Sequence, residues 1–430
     1  MSDTFLLTDG KRRFFAKNSS RSPNEPALLV YRPFKRYKEG EFLRCTYIKI
    51  PQVNLTYGFF LVKPSWTWGG EMGINEKGVA IGTEAVITRS QSSNPSLIGQ
   101  DYVRLALERA SSAKEAVSVI IELLKIYGQG GNCSFDSTKY RDSTYLIADR
   151  HETYILETAG KDFAVKKAEG SVNISGGRLS LNKDWDYTSC ADDHEFESKH
   201  SRYALLSRSS IRKETVATML DDLEEVSEES VFRILSSHKK IKGLFRCGDN
   251  SAICMHQVPG GQQTTCSMTV DLSLDDPTIW VTGASAPCLT VFKPYYMGLK
   301  GSFVYDNTET ALSFWLKREY LNRGIYSGLI DREKHHAVVR RMQQEFLDEE
   351  RRIRLEGGDE KVLREFAINA SNREKDFIGK YNKIIGEIRH GNLKLKGKWK
   401  TLSQFIDQKP FAENPKERIG LYVRHSDNKK

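Results

Sequence analysis

The order in which two periodicities occur most constrains this chain. Strand-like alternation comes in blocks, and runs with helical spacing separate them. The first block offers the strands Ala27–Tyr31, Cys45–Ile50 and Tyr57–Val62. MGINEKGVAIGTEAV follows as a hairpin with Asn75-Glu76-Lys77-Gly78 as its turn. Asp101–Ala110 and Ala113–Tyr127 then read as helices, the second opened by a Ser112/Glu115 capping box and stopped by Gly128. A second strand block covers Thr144–Ala148, Thr153–Leu156 and Phe163–Lys167. Residues 181–200 read as a polar loop, and helical stretches lie near 203–209, 214–222 and 228–237. A third block holds Thr265–Leu272 and Thr278–Thr282, and beyond residue 310 the chain is helical. Strands and helices in separate blocks specify layered α+β architecture, not alternating βαβ units. The expected organisation is one α+β domain over residues 2–300 and a helical extension with a basic tail over 301–430.

The alternation starts at the first residues. Phe5, Leu6 and Leu7, a turn at Asp9-Gly10, and Phe14, Phe15 and Ala16 predict a hairpin that carries the N-terminus into a sheet. A terminus held there is chemically useful. An α-amine has a pKa of ~7.7–8.0, so it can act as base for a hydroxyl on the same residue. Ser2 becomes that residue if Met1 is removed.

With 39% hydrophobic and 10% aromatic residues in 430, the chain can bury a large core, which excludes a disordered composition. No apolar run approaches the ~20 residues of a membrane span, so no membrane partner is expected. Seven cysteines without paired spacing point to a reducing compartment and a cytoplasmic protein. The net charge of +9 is concentrated late, with 15 Lys+Arg against 7 Asp+Glu in residues 371–430, a difference of +8. Without interleaved aromatics, that excess reads as a solvated surface and no nucleic-acid partner is expected.

The glycine clusters GQGGN (128–132) and VPGGQQTT (258–265) lack the strand–loop–helix setting of a phosphate site. Cys247, Cys254, His256 and Cys266 match no common zinc spacing. No metal and no cofactor are expected. His335-His336 lies on a charged helix and reads as solvated. Glu84 stands in the apolar strand IGTEAVI, where a carboxylate needs a partner, and Arg202 opens a helix in KHSRYALL. Either also fits a plain salt bridge.

Several ordered stretches together resemble the secernin and dipeptidase-A-type peptidase family. They are FAKNSSR, CTYIKIPQV, KPSWTWGGEMGINEKGVAIGTEAV, IGQDYVRLALERA, YGQGGNC, YLIADRHETYILETAGK, QQTTCSMTVDL and TGASAPCLTVFKP. They span about residues 2–300, and the helical tail is similar as well. The resemblance implies an N-terminal-nucleophile hydrolase: a four-layer αββα sandwich of two antiparallel sheets, whose first mature residue attacks an amide. Ser2-Asp3-Thr4 occupies the place of the family's Cys-Asp-Thr start. By resemblance Ser2, Asn18, Glu84 and Arg202 form the catalytic set, with Glu84 facing the substrate and Arg202 orienting the terminus or a substrate carboxylate. Arg21, Asn132, Gly176 and Gly177 would bind substrate.

Three departures stand beside it. Serine replaces the nucleophilic cysteine. Ser20 replaces the aspartate of a KNSDR-like pattern. ISGGRLSL carries Gly176-Gly177 where an asparagine would donate to the oxyanion. Two functions follow as expectations. One is a dipeptidase-like amidohydrolase taking a small peptide or amide, with homo-oligomerisation left open. The other is a catalytically inactive relative that binds a ligand or partner.

Overall fold

Alternation in the first 21 residues decides which layer each side chain enters. In β1 (Asp3–Thr8) and β2 (Arg13–Arg21), Leu6 and Phe15 join one apolar cluster, while Phe5, Leu7, Phe14 and Ala16 join another. A strand pair with both faces apolar must be covered on both sides. The two strands pair antiparallel, Asp3 opposite Asn18 and Thr8 opposite Arg13.

In the computed structural model, residues 2–191, 196, 198–239, 243–258, 261–298, 308–404 and 406–407 are described. The hairpin takes the second and third places in a six-stranded sheet, in the order Val172–Ser175, β1, β2, Gln263–Asp271, Ile279–Val281, Lys293–Tyr295. An eight-stranded sheet runs Tyr187–Thr188, Asp162–Ala168, Thr153–Ala159, Asp142–Ala148, Ala80–Val86, Met72–Asn75, Phe59–Pro64, Ala27–Arg32. All pairings in both are antiparallel. Leu6, Phe15, Met268 and Val270 from the first sheet meet Phe60, Val62, Ile74 and Leu146 from the second in one core. The outer face of the second sheet is covered by α1 (Gly99–Arg109) and α2 (Ala113–Tyr127). The outer face of the first is covered by the helices Ser209–Asp221, Glu228–Leu235, Arg332–Leu355 and Glu360–Gly379. The four-layer αββα sandwich that the resemblance implied is the observed fold.

Phe346, Leu347, Phe366 and Phe377, from beyond residue 310, share a core with Phe5, Phe14 and Trp280. A fully buried side chain of this kind contributes roughly 1.5–3 kcal/mol, so these helices belong to the layer beneath β1. The break near residue 300 marks a change of secondary structure, and the core runs across it.

Two local expectations need correction. Cys45–Ile50 is not one strand: Phe42–Arg44 pairs with Lys49–Pro51, the chain turning between them where the Cys45 amide donates to the Ile48 carbonyl at 2.9 Å. His335 is fully buried, its Nε2 3.0 Å from the Leu289 carbonyl oxygen. Burial and nearby Arg318 push its pKa down to about 3. Among the described residues no helix is long and apolar enough to cross a membrane. Residues 408–430 of the expected basic tail lie outside the described residues.

Candidate active site

Ser2 precedes β1 and is buried. Its Oγ accepts a 2.8 Å hydrogen bond from the backbone amide of Ser20 on β2. Its carbonyl accepts from the Gly176 amide, also at 2.8 Å. An amide directed at Oγ occupies one lone pair and leaves the hydroxyl proton available to a base.

The next residue, Asp3, points to the opposite face of the sheet. Arg212 Nε lies 3.1 Å from both Asp3 carboxylate oxygens, and Ser175 Oγ donates to Oδ1 at 2.6 Å. The same guanidinium reaches the carbonyls of Gly176, Ser207 and Asn250. Both partners are buried. Arg212 therefore holds three chain segments behind Ser2. Arg202, the arginine expected in this role, is exposed on the 3-10 turn Arg202–Ser207. The arginine that the structure places against Asp3 stands one element later, at position 212.

Thr4 returns to the inter-sheet side and donates to Glu84 Oε1 at 2.6 Å; Lys17 Nζ is 2.5 Å from the same oxygen. All three are fully buried. Glu84 thus sits in the inter-sheet core and does not line the cavity described below, because its strand aims that position at β1 and β2. Burial pushes its pKa up from 4.5 to about 7, outweighing the attraction of Lys17. The folded protein then holds a proton at Glu84 that the unfolded chain has released. Its contribution to stability is complete below pH 4.5 and is lost as the pH rises through 7. We expect the stability difference between wild type and Glu84→Gln to fall by on the order of 3 kcal/mol across that window. Denaturant melts at several pH values check this; a flat difference would mean that Glu84 ionises as an ordinary glutamate.

Farther along the inter-sheet face of β2, Ser19 donates to Glu71, and Arg21 bridges Glu71 and Glu25. Burial pushes the Glu71 carboxyl up, but Arg21, Lys17 and a hydrogen bond from Gln100 more than offset it and leave it below its ordinary value. At Glu25 burial wins over Arg21 and the pKa rises. Lys17, Glu71 and Glu25 were not singled out in the sequence. An isolated lysine in FFAKNSS carries the same signal as the isolated Glu84.

A cavity of about 400 Å³ opens at this end of the sheets, its wall including Arg21, Glu25, Ala85, Asp136, Arg141 and Gly177. Gly177, at φ +115°, has the left-handed backbone that favours glycine. Its amide donates to the Ala85 carbonyl at 2.8 Å, and its carbonyl accepts from Ile87. With Gly176 bonded to Ser2, the two glycines clasp one sheet to the other. Gly177 lines the cavity, and Gly176 is the tie to Ser2. Both amides are committed to carbonyls.

Asn18 does not line the cavity. It faces the outer helical layer, where Nδ2 donates to the Leu235 and Ile253 carbonyls at 2.9 Å each and Oδ1 accepts from Ser267. Alternation on β2 puts it on the opposite side from Lys17 and Ser19. Asn132 braces the cavity loop from within, donating to the carbonyls of Ser134 and Ser137 and accepting from the amides of Ser134 and Lys139. Ser20 meets Ser2 through its main chain, its hydroxyl lying 3.3 Å from Thr264 Oγ1.

A family model matches part of this chain. It is acyl-coenzyme A:6-aminopenicillanic acid acyl-transferase, over residues 43–252. That match spans just under half of the chain. Similar solved structures include a mutant of the conjugated bile acid hydrolase from Clostridium perfringens, at 13% identity, 65% of this chain, 88% of that chain and TM-score 0.35. The penicillin V acylase from Agrobacterium tumefaciens is 13% identical, with 65% and 82% covered and TM-score 0.35. The Caenorhabditis elegans ortholog of N-acylethanolamine-hydrolyzing acid amidase is 9% identical, with 63% and 93% covered and TM-score 0.34. At these scores the structural likenesses carry no inference about chemistry.

Of the four residues weighed as a metal set, Cys247 is exposed and Cys266 lies in the inter-sheet core. Cys254 and His256 do come together, joined by His238 and Cys288. The expectation of no metal left out both partners, because neither stands near the other two in sequence.

Proposed function

We propose that this chain is an amidohydrolase whose nucleophile is Ser2 once Met1 has been removed. The observation that carries the reading is the placement of Ser2 Oγ: buried, fixed by the Ser20 amide, and one residue of backbone contact from the cavity wall through Gly176-Gly177. In this reading the freed α-amine takes the Ser2 hydroxyl proton, directly or through water, and Oγ attacks the scissile carbonyl. The C–N bond breaks as that proton passes to the leaving amine, and water then hydrolyses the acyl-enzyme ester, releasing the acid and returning the proton to Oγ.

The substrate we favour is a short peptide or related amide, in line with the secernin and dipeptidase resemblance. The cavity wall includes Arg21, Lys139 and Arg141 against Glu25 and Asp136, a balance that suits a substrate carboxylate. We place the reaction in the cytoplasm, where free thiols such as those of this chain stay reduced.

One observation favours the non-catalytic alternative. The amides of Gly176 and Gly177 are both bonded to carbonyls, and loss of an oxyanion donor costs about 2.7–4 kcal/mol of transition-state stabilisation. N-terminal peptide mapping combined with a substrate panel separates the readings. We expect a free Ser2 amine and slow turnover of dipeptides or acyl-amino acids. A retained Met1, an acetylated Ser2, or no turnover across the panel would leave the binding reading.

A further inference from the structure

Four side chains outside the candidate active site converge on one point. His238, Cys254, His256 and Cys288 each bring one ligand atom to within 4.8 Å of the others. His238 follows the helix Glu228–Leu235, Cys254 and His256 stand two apart before the strand Gln263–Asp271, and Cys288 lies in the turn Pro287–Leu289. The backbone fixes the segments independently. The Cys254 amide donates to the Ser237 carbonyl at 3.1 Å, and Asp249 and His256 exchange backbone hydrogen bonds.

Hydrogen bonding does not account for the convergence. His256 Nε2 lies 3.2 Å from His238 Nε2, 3.6 Å from Cys254 Sγ and 3.4 Å from Cys288 Sγ. One ring nitrogen carries either one proton or one lone pair, so it cannot serve three partners at full strength. A cation at the centre serves all four. For Zn–N and Zn–S bonds of ordinary length, a tetrahedral site has edges of ~3.3 Å between nitrogens and ~3.6 Å between nitrogen and sulfur. The three separations from His256 Nε2 fit those edges, and the other ligand atoms lie within 4.8 Å of one another.

We propose that His238, Cys254, His256 and Cys288 bind one zinc ion in a closed tetrahedral site. Two thiolates and two neutral imidazoles suit zinc and disfavour magnesium and calcium, which prefer oxygen donors. Zinc binding forms two S–Zn and two N–Zn bonds and releases the remaining thiol protons to solvent, so affinity weakens at acid pH.

Four protein ligands leave no coordination position for substrate, which makes the ion structural. The segments it ties are those that back the candidate active site. The Leu235 and Ile253 carbonyls accept from Asn18. The Met255 amide donates to Thr264 Oγ1, which touches Ser20 Oγ. Gln257 lines the cavity. Phe245 and Tyr326 pack their rings against His256 at 5.1 and 5.7 Å, so the helical extension closes over the site.

The test is metal analysis of the full chain purified without chelator. We expect about one zinc per chain, lost in Cys254→Ser/Cys288→Ser and retained in Cys247→Ser, whose thiol lies outside the cluster. Because the double variant can fail to fold, cobalt exchange into wild type provides a second readout: intense tetrahedral visible bands with sulfur-to-cobalt charge transfer are expected. Wild-type protein with less than about a tenth of a zinc per chain and no uptake of added zinc or cobalt would overturn the proposal. So would full zinc retention in the double variant, or a Cys254–Cys288 disulfide in protein purified anaerobically. None of these readouts depends on Ser2 being catalytic.

Discussion

Ser2→Ala lowers kcat/KM on the best substrate of the panel at least about a thousandfold, the scale seen when a nucleophile is removed from a working set. Folding survives the change. The variant loses one hydrogen bond, from the Ser20 amide, worth about 1 kcal/mol, and keeps a small second residue so that Met1 removal is unaffected. Ser2→Cys restores measurable turnover, because a thiolate at the same position is a stronger nucleophile. Steady-state kinetics on protein verified by N-terminal mass checks both. A Ser2→Ala variant that keeps the wild-type rate would place the nucleophile elsewhere.

Arg212→Met carries the second large effect. It leaves the buried Asp3 carboxylate without its cation and frees the Gly176, Ser207 and Asn250 carbonyls. Breaking a buried ion pair from one side costs about 3–5 kcal/mol, read as a shifted denaturation midpoint. Asp3→Asn in the same chain recovers part of the loss, since the stranded charge is gone. Arg212→Lys recovers less than wild type, because an ammonium cannot span four acceptors in different directions. Arg202→Ala, by contrast, changes stability by less than about 0.5 kcal/mol. If the two arginines respond in the reverse order, the assignment of Arg212 to the tie behind Ser2 is wrong.

Both effects show which parts of the molecule were legible in the sequence. Ser112 caps α2 by accepting from the Glu115 amide, and Gly78 turns the hairpin before Ala80–Val86 at φ +77°. These features were readable because each is settled within a few residues. The layered α+β class was readable because strands came in blocks, whereas the two antiparallel sheets were expected from the family resemblance. Arg212 was not. In SSIRKE it looks like any surface helical arginine, and only the packing of its helix beneath β1 turns it inward. Asn18 was misplaced for the complementary reason: resemblance supplied a residue, but strand parity decides the face, and Asn18 shares its face with Ala16 rather than with Lys17. The thiol–imidazole cluster was the least legible. Its members stand 18, 2 and 32 residues from His256, and only the two-residue step leaves a local trace.

The interior position of β1 also sets an order of events during synthesis. Its neighbours are Val172–Ser175 on one side and β2 on the other, and β2 is itself completed by Gln263–Asp271. The helices that cover its outer face include Arg332–Leu355 and Glu360–Gly379. At roughly 5–20 residues per second, the first strand waits about 10–50 s on the ribosome before the strand at 263 exists to enclose it. On the proposed reading, an enzyme that frees the amine of Ser2 has that interval in which to work, because once the later layers arrive the same atoms are buried; slow processing would then trap an unprocessed terminus inside a finished protein.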